Sequence, residues 1–250
     1  MIDYEAQYIR DKAENIRKMN IDTAPSHTAK KFMEAVGPYQ YVNHYTWMGR
    51  PIIQLPQDIV AMQEVIMKVA PDLIIETGIA HGGSAVFFSS MLELLDIYAG
   101  CEIPREVVAI DIELRSQNRT ALEAHPMYKR ITVFDGSSTD SKIAEQVREI
   151  ASRHRAIMVV LDSNHSHQHV YDELNIYGQL VTVGSYALVC DTCIEVFGDT
   201  RNDRPWGKGN NPYTAAKQWL SEHDEFVCDK TYDEQSLITS NPGGWLLRVK

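Results

Sequence analysis

Five short apolar runs, LIIE at 73–76, VVAID at 107–111, ITVFD at 131–135, AIMVVLD at 156–162 and SYALVCD at 185–191, each finish on a carboxylate. The first four are followed by stretches with helical periodicity: Ser84–Leu95, Asn118–Ala124, Asp140–Ser152 and His167–Tyr177. Strands this uniformly apolar are buried on both faces, and a parallel sheet covered by crossover helices buries them in that way. The expected class is α/β. Strands of such a sheet point the same way, so Glu76, Asp111, Asp135, Asp162 and Asp191 should gather along one edge. Open sheets bind their ligands outside that edge. One acid after a strand also reads as a helix cap, whereas five at equivalent places read as a site.

Residues 1–35 read as a polar, amphipathic helical arm, and YQYVNHYTWMGRPIIQLPQ at 39–57 as an ordered aromatic loop. This divides the chain into an arm, 1–57, and a sheet domain, 58–250. Past Asp191 a polar stretch near 192–212 is long enough to be a lid or substrate loop. A disordered insertion is the other reading of its Gly and Asn content. A helix over Tyr213–Glu222 and strands at Phe226–Cys228 and Trp245–Val249 complete the chain, whose 250 residues suit one domain. With 24 Lys and Arg against 34 Asp and Glu, the net charge of −10 offers no field for nucleic acid. There is no apolar run of about 18 residues, and the charged opening MIDYEAQYIRDK is no secretion signal. A cytoplasmic protein is expected. Cys101, Cys190, Cys193 and Cys228 lack the paired spacing of a metal ribbon and read as reduced, buried thiols.

The loop ETGIAHGGS, 76–84, follows the first run and opens a helix, with Gly78, Gly82 and Gly83 leaving room for a ligand at the backbone. It departs from G-x-G-x-x-G, and an acid directly before its first glycine would repel a pyrophosphate. The same acid suits an amino acid's ammonium group. Asp111 is placed to accept hydrogen bonds from ribose hydroxyls. A nucleoside joined to an amino acid is S-adenosylmethionine; a dehydrogenase using the same kind of sheet is the rival enzyme.

ETGIAHGGS, the upstream YTWMGRPIIQ, then VVAIDIELR, DGSS, VVLDSNHSHQHV and GSYALVCDT together resemble the cephalosporin hydroxylase family, from about Tyr45 to Thr192. That family is similar to class I methyltransferases and includes enzymes of antibiotic tailoring and sugar O-methylation. The resemblance implies a Rossmann-like class I methyltransferase fold, with a mostly parallel seven-stranded sheet and helices on both faces. It implies that Glu76, Gly78, Ala80 and Ser84 lie beside the methionine moiety, Asp111 at the ribose, and Asp135, Gly136 and Ser137 near the adenine. It further implies Mg2+ between Asp162 and an acidic pair at the end of the fifth run. Asp191 matches that pair and Cys190 departs from it, since magnesium prefers oxygen to sulfur. Homo-oligomers formed through the arm are a further implication.

Methyl transfer to a sugar hydroxyl needs alignment and help in losing a proton, from a cation at the oxygen and a nearby base. Asp162 is expected to serve catalysis as well as the metal. His165 is expected as the base, because imidazole titrates near neutrality; a metal-associated role and a helix-start role are also open to it. His81 could touch the cofactor or face solvent. Trp47, Arg50 and Gln54, with Arg204, Trp206 and Lys208 of the late loop, could shape an acceptor pocket for a nucleotide-linked sugar, polysaccharide or glycoside. Loss of the acid at Cys190 leaves one non-catalytic alternative, a cofactor-binding subunit that supports a partner.

Overall fold

A computed structural model describes residues 3–100, 102–198 and 203–250; Cys101 and part of the expected substrate loop, 199–202, lie outside it. The arm consists of helices α1 (Tyr4–Ile21) and α2 (Thr23–Val36), each started by an aspartate whose carboxylate accepts a backbone N–H of the first turn. The stretch expected as a loop is more regular than its sequence suggests. Two 3-10 turns lead into a hairpin, β1 (Tyr45–Trp47) and β2 (Arg50–Ile52), and α3 (Pro56–Val69) starts at a proline. Tight aromatic packing supplies what periodicity does not show, with Trp47 edge-on to Phe87 at 4.9 Å and donating to Ser90 Oγ at 3.0 Å.

From there strands and helices alternate: β3 (Leu73–Thr77), α4 (Gly83–Ala99), β4 (Glu106–Asp111), α5 (Ser116–Glu123), β5 (Ile131–Asp135), α6 (Ser141–Ala151), β6 (Ile157–Leu161), α7 (His167–Tyr177) and β7 (Tyr186–Val189). The last part holds α8 (Ile194–Phe197), α9 (Pro212–Glu222), β8 (Phe226–Cys228), α10 (Thr231–Ser236) and β9 (Trp245–Arg248). The sheet order is β5-β4-β3-β6-β7-β9-β8, parallel except for β9, which wedges in antiparallel between β7 and β8.

Alternate residues of each strand feed two separate cores, as the pleat requires. Ile74, Val107, Ala109, Met158, Val160 and Leu188 pack with the buried faces of α3 and α4. Ile75, Val108, Ile110, Val159, Leu161 and Val189 pack with α6, α7 and α9. Each fully buried Val, Leu, Ile or Phe contributes roughly 1.5–3 kcal/mol, so this double burial holds the sheet rigid beneath its ligand-binding edge. Among the described residues, no helix is long and apolar enough to cross a membrane.

Candidate active site

The site forms where the carboxyl ends of β3, β4, β6 and β7 meet. Gly78 N–H donates to Ile110 O at 2.7 Å and Asp162 N–H to Thr77 O at 2.9 Å, so the pairing of these strands continues into the loops. The glycines have a task in addition to the one expected of them. Gly78 sits at φ +91°, and a Cβ there would lie 2.1 Å from the Asp162 carbonyl oxygen. A Cβ on Gly83 would lie 2.1 Å from Pro51 O. Both let two stretches of protein backbone touch, and both also line the cavity described below.

Glu76 is 1% exposed, and its Oε2 has no hydrogen-bond partner. Burial pushes its carboxyl up to about 8, against the opposing hydrogen bond from Ser84. A buried carboxylate oxygen without a partner is costly unless a cation meets it, so the residue is suited to an ammonium group. Asp111 Oδ2 accepts the N–H groups of Ile79 and Ala80 at 2.8 and 3.0 Å, and Oδ1 accepts that of Glu113 at 2.9 Å. Asp111 thereby ties the glycine loop to β4, and its remaining lone pairs are available to hydroxyl groups.

Asp162, His165 and Asp191 offer ligand atoms that all lie within 4.8 Å of one another. His165 Nδ1 is 3.3 Å from Asp191 Oδ2, and Nε2 is 3.8 Å from Asp162 Oδ1. Burial, reinforced by Asp191, holds the Asp162 carboxyl well above the usual carboxylate range. Two acids brought this close favour a cation between them, and the two carboxylates fit a divalent metal that keeps several waters, with the His165 imidazole beside it. Cys190 is not part of this set. Its side chain is 2% exposed and joins the core with Tyr186 and Trp245, and burial pushes its thiol well up. The donor cluster is complete without it.

Gly78, Ala80, His81, Ser84, Asp111, Asp162, His165 and Asp191 line one cavity of about 420 Å³; Glu76 is buried and not among the lining residues, and its link to the cavity is the hydrogen bond from Ser84. Met33 and Tyr41 of the arm close one side of it, and Arg204 and Trp206 another. The Trp206 ring lies 5.1 Å from the His165 imidazole, with the Arg204 guanidinium 5.2 Å from the indole. Asp135, Gly136 and Ser137 stay outside this cavity. Asp135 pairs in register with Asp111 but turns its carboxylate to Arg119, and Ser137 Oγ meets Thr139 Oγ1 at 2.9 Å. Arg50 braces the glycine loop through the His81 carbonyl, and Trp47 packs in the core. Gln54 does face the cavity and donates to Asp162 Oδ2 at 3.1 Å. His165 precedes α7 instead of belonging to it. His167 is taken up by Thr214 and Gln218, and His169 by Ser138, Ser163 and Glu173.

Sequence reasoning missed Asp58 and Asn241, which lie behind the site. Asp58 accepts from Thr239 Oγ1 and Ser240 N–H at 2.5 and 2.8 Å, and Asn241 Oδ1 accepts the Asp191 N–H at 2.9 Å. Neither carries a signal in a single sequence, because their partners are 182 and 50 residues away along the chain.

This sheet order, with one antiparallel strand next to the edge, a glycine loop after the first parallel strand and an acid closing the second, defines a class I methyltransferase fold. Two solved structures share it. A CmcI structure described as Mg-SAM superposes with a TM-score of 0.58 at 18% identity, covering 83% of this chain and 78% of that one. The apo structure of CalS11, described as a TDP-rhamnose 3'-O-methyltransferase of calicheamicin biosynthesis, superposes with a TM-score of 0.52 at 13% identity, covering 96% and 93%. The chain belongs to the rhamnosyl O-methyltransferase/CmcI family, whose pattern matches residues 39–249. Its curated relatives include the rhamnosyl O-methyltransferase of Mycobacterium bovis BCG, 30% identical over 211 residues, covering 81% of this chain and 78% of the relative. That of Mycobacterium leprae is 30% identical over 212 residues, covering 82% and 84%.

Proposed function

We propose that the protein transfers a methyl group from S-adenosylmethionine to a hydroxyl of a sugar, with a divalent metal, Mg2+, at the acceptor oxygen. The observation that carries this reading is a single cavity that holds the donor cluster Asp162–His165–Asp191 and the loop residue Ser84, whose side chain hydrogen-bonds the buried Glu76 carboxyl, itself with one unpartnered oxygen. The names of the relatives support it, and the sugar they share is rhamnose. Family membership sets the dehydrogenase aside. The non-catalytic alternative loses its motive, because the donor cluster does not need Cys190.

S-adenosylmethionine supplies a methyl carbon on a cationic sulfur, which leaves as a neutral thioether. Glu76, once ionised, binds the amino group; Gly78, Ala80 and Ser84 line the methionine moiety and Asp111 holds the ribose. The adenine would extend past the cavity towards the Asp135–Ser137 turn, where the exposed Ile112 offers an apolar face. Asp162 and Asp191 would hold Mg2+, which would supply positive charge to a developing alkoxide. The acceptor oxygen attacks the methyl carbon, the carbon–sulfur pair returns to sulfur, and the hydroxyl proton passes to His165. The two flanking carboxylates stabilise the imidazolium so formed. Trp206 offers the flat surface on which a sugar ring packs and shields the reacting atoms from water.

The later part of the arm, from Met33 to Leu55, lines one side of this cavity. The outer face of α1, with Tyr4, Tyr8 and Ile9 exposed, is the surface for self-association. The protein works in the cytoplasm, where the methyl donor is made. Incubation with methyl-labelled S-adenosylmethionine, Mg2+ and a panel of rhamnosides and nucleotide-linked sugars tests the reading. A product about 14 Da heavier than one acceptor is expected. Protein that binds S-adenosylhomocysteine yet methylates none of the panel overturns the assignment of a sugar acceptor.

A further inference from the structure

Asp191 adopts a left-handed backbone, φ +55°, which a residue with a Cβ enters only at a cost. It is one of the two carboxylates of the donor cluster, and this backbone decides where its side chain points. What holds it is a strap formed by residues 239–244. The Asp191 N–H donates to Asn241 Oδ1 at 2.9 Å, Thr192 Oγ1 to Pro242 O at 2.9 Å, and Cys193 N–H to Ser240 O at 3.0 Å. Asn241 is fully buried.

The strap is itself anchored. Asp58, in the first turn of α3, accepts from Thr239 Oγ1 and Ser240 N–H, and the Thr239 hydroxyl oxygen accepts the Asn241 N–H at 2.9 Å. Gly244 closes the strap onto β7, where a Cβ would lie 2.2 Å from Val189 O. Just before α3, Gln54 reaches Asp162 Oδ2. The start of α3 therefore governs both carboxylates, Asp162 directly through Gln54 and Asp191 indirectly through Asp58 and Asn241.

We propose that Asn241 is a positioning residue: its side-chain oxygen locks Asp191 in the left-handed conformation that turns the carboxylate towards Asp162 and makes a two-carboxylate cation site. Asn241 touches neither donor nor acceptor. This inference rests on the metal reading of the cluster.

The test is Mn2+ binding, followed by loss of the free-ion electron paramagnetic resonance signal, alongside S-adenosylhomocysteine binding by calorimetry on the same protein. Asn241→Ala should weaken Mn2+ roughly tenfold or more, as loss of an outer partner does at other metal sites, and leave S-adenosylhomocysteine affinity unchanged. A purely structural role would weaken both together. Should the alanine variant lose S-adenosylhomocysteine as well, Asn241→Ser replaces it, since a hydroxyl keeps the pocket polar but falls short of the Asp191 N–H. Wild-type Mn2+ affinity in the variant that folds overturns the inference alone. Wild-type protein that binds S-adenosylhomocysteine but no Mn2+ overturns the metal reading and this inference with it.

Discussion

The carbonyl oxygen of Asp162 occupies the place where any side chain at Gly78 would begin, 2.1 Å from an ideal Cβ. The loop beside the methyl donor and the residue proposed to hold the metal are thus pressed backbone to backbone. Gly78→Ala must both strain φ +91° and push β3 from β6. It should cost roughly 3 kcal/mol or more, read as a lower midpoint in urea unfolding. A loss below about 1 kcal/mol would show that the loop gives way without the sheet.

Glu76 makes donor binding depend on pH. Its carboxyl titrates at about 8 in the free protein, so in more acidic solution binding of an ammonium group must expel a proton. Affinity for S-adenosylhomocysteine should climb by about tenfold per pH unit up to about pH 8. Glu76→Gln should bind more weakly at that pH and show no such slope. Calorimetry in buffers of different ionisation enthalpy counts the proton directly; equal release by wild type and variant would remove Glu76 from this role.

Asp162→Ala should lower turnover by roughly a hundredfold or more while sparing S-adenosylhomocysteine binding. Chelation with EDTA should do the same to the wild type, and added Mg2+ should restore only the wild type. Unchanged turnover in the variant would take Asp162 out of the mechanism.

Asp58 links the strap to stability. Burial lifts its carboxyl to about 7 from 3.8, so between those values the folded state keeps a proton that the unfolded state releases. Stability from this group is full below about pH 4 and declines until about pH 7, by up to about 1.4 kcal/mol per pH unit. Asn at this position is uncharged, like the neutral acid, and its amide oxygen can still accept the Ser240 N–H. Asp58→Asn should therefore match wild type near pH 4 and exceed it near pH 8 in chemical denaturation. A difference of the same size at both pH values would rule out titration of Asp58 as its cause.

Much of this was legible in the sequence because it is local. The five acid-ended runs become β3 to β7 within two residues at either end, since continuous apolar stretches leave little choice of register or face. Asp162, His165 and Asp191 come together because strand order follows from the same pattern. The glycine loop lies at the cavity, but its close backbone contacts were not foreseen, since a single sequence does not show which distant backbone a glycine must admit. The hairpin at 45–52 and the start of α3 were hidden for a related reason. Their order comes from Trp47 on Phe87 and from Asp58 on the strap, contacts across 40 and 182 residues.

The brace on Asp191 is supplied by a residue made fifty positions later. During synthesis, then, the cation site waits for the same late segment that completes both hydrophobic cores. A chain ending between Asp191 and Asn241 would lack Trp245 and Leu246 of the two cores as well as the brace on Asp191, so stability and catalytic competence arrive together with the strand that wedges the sheet shut.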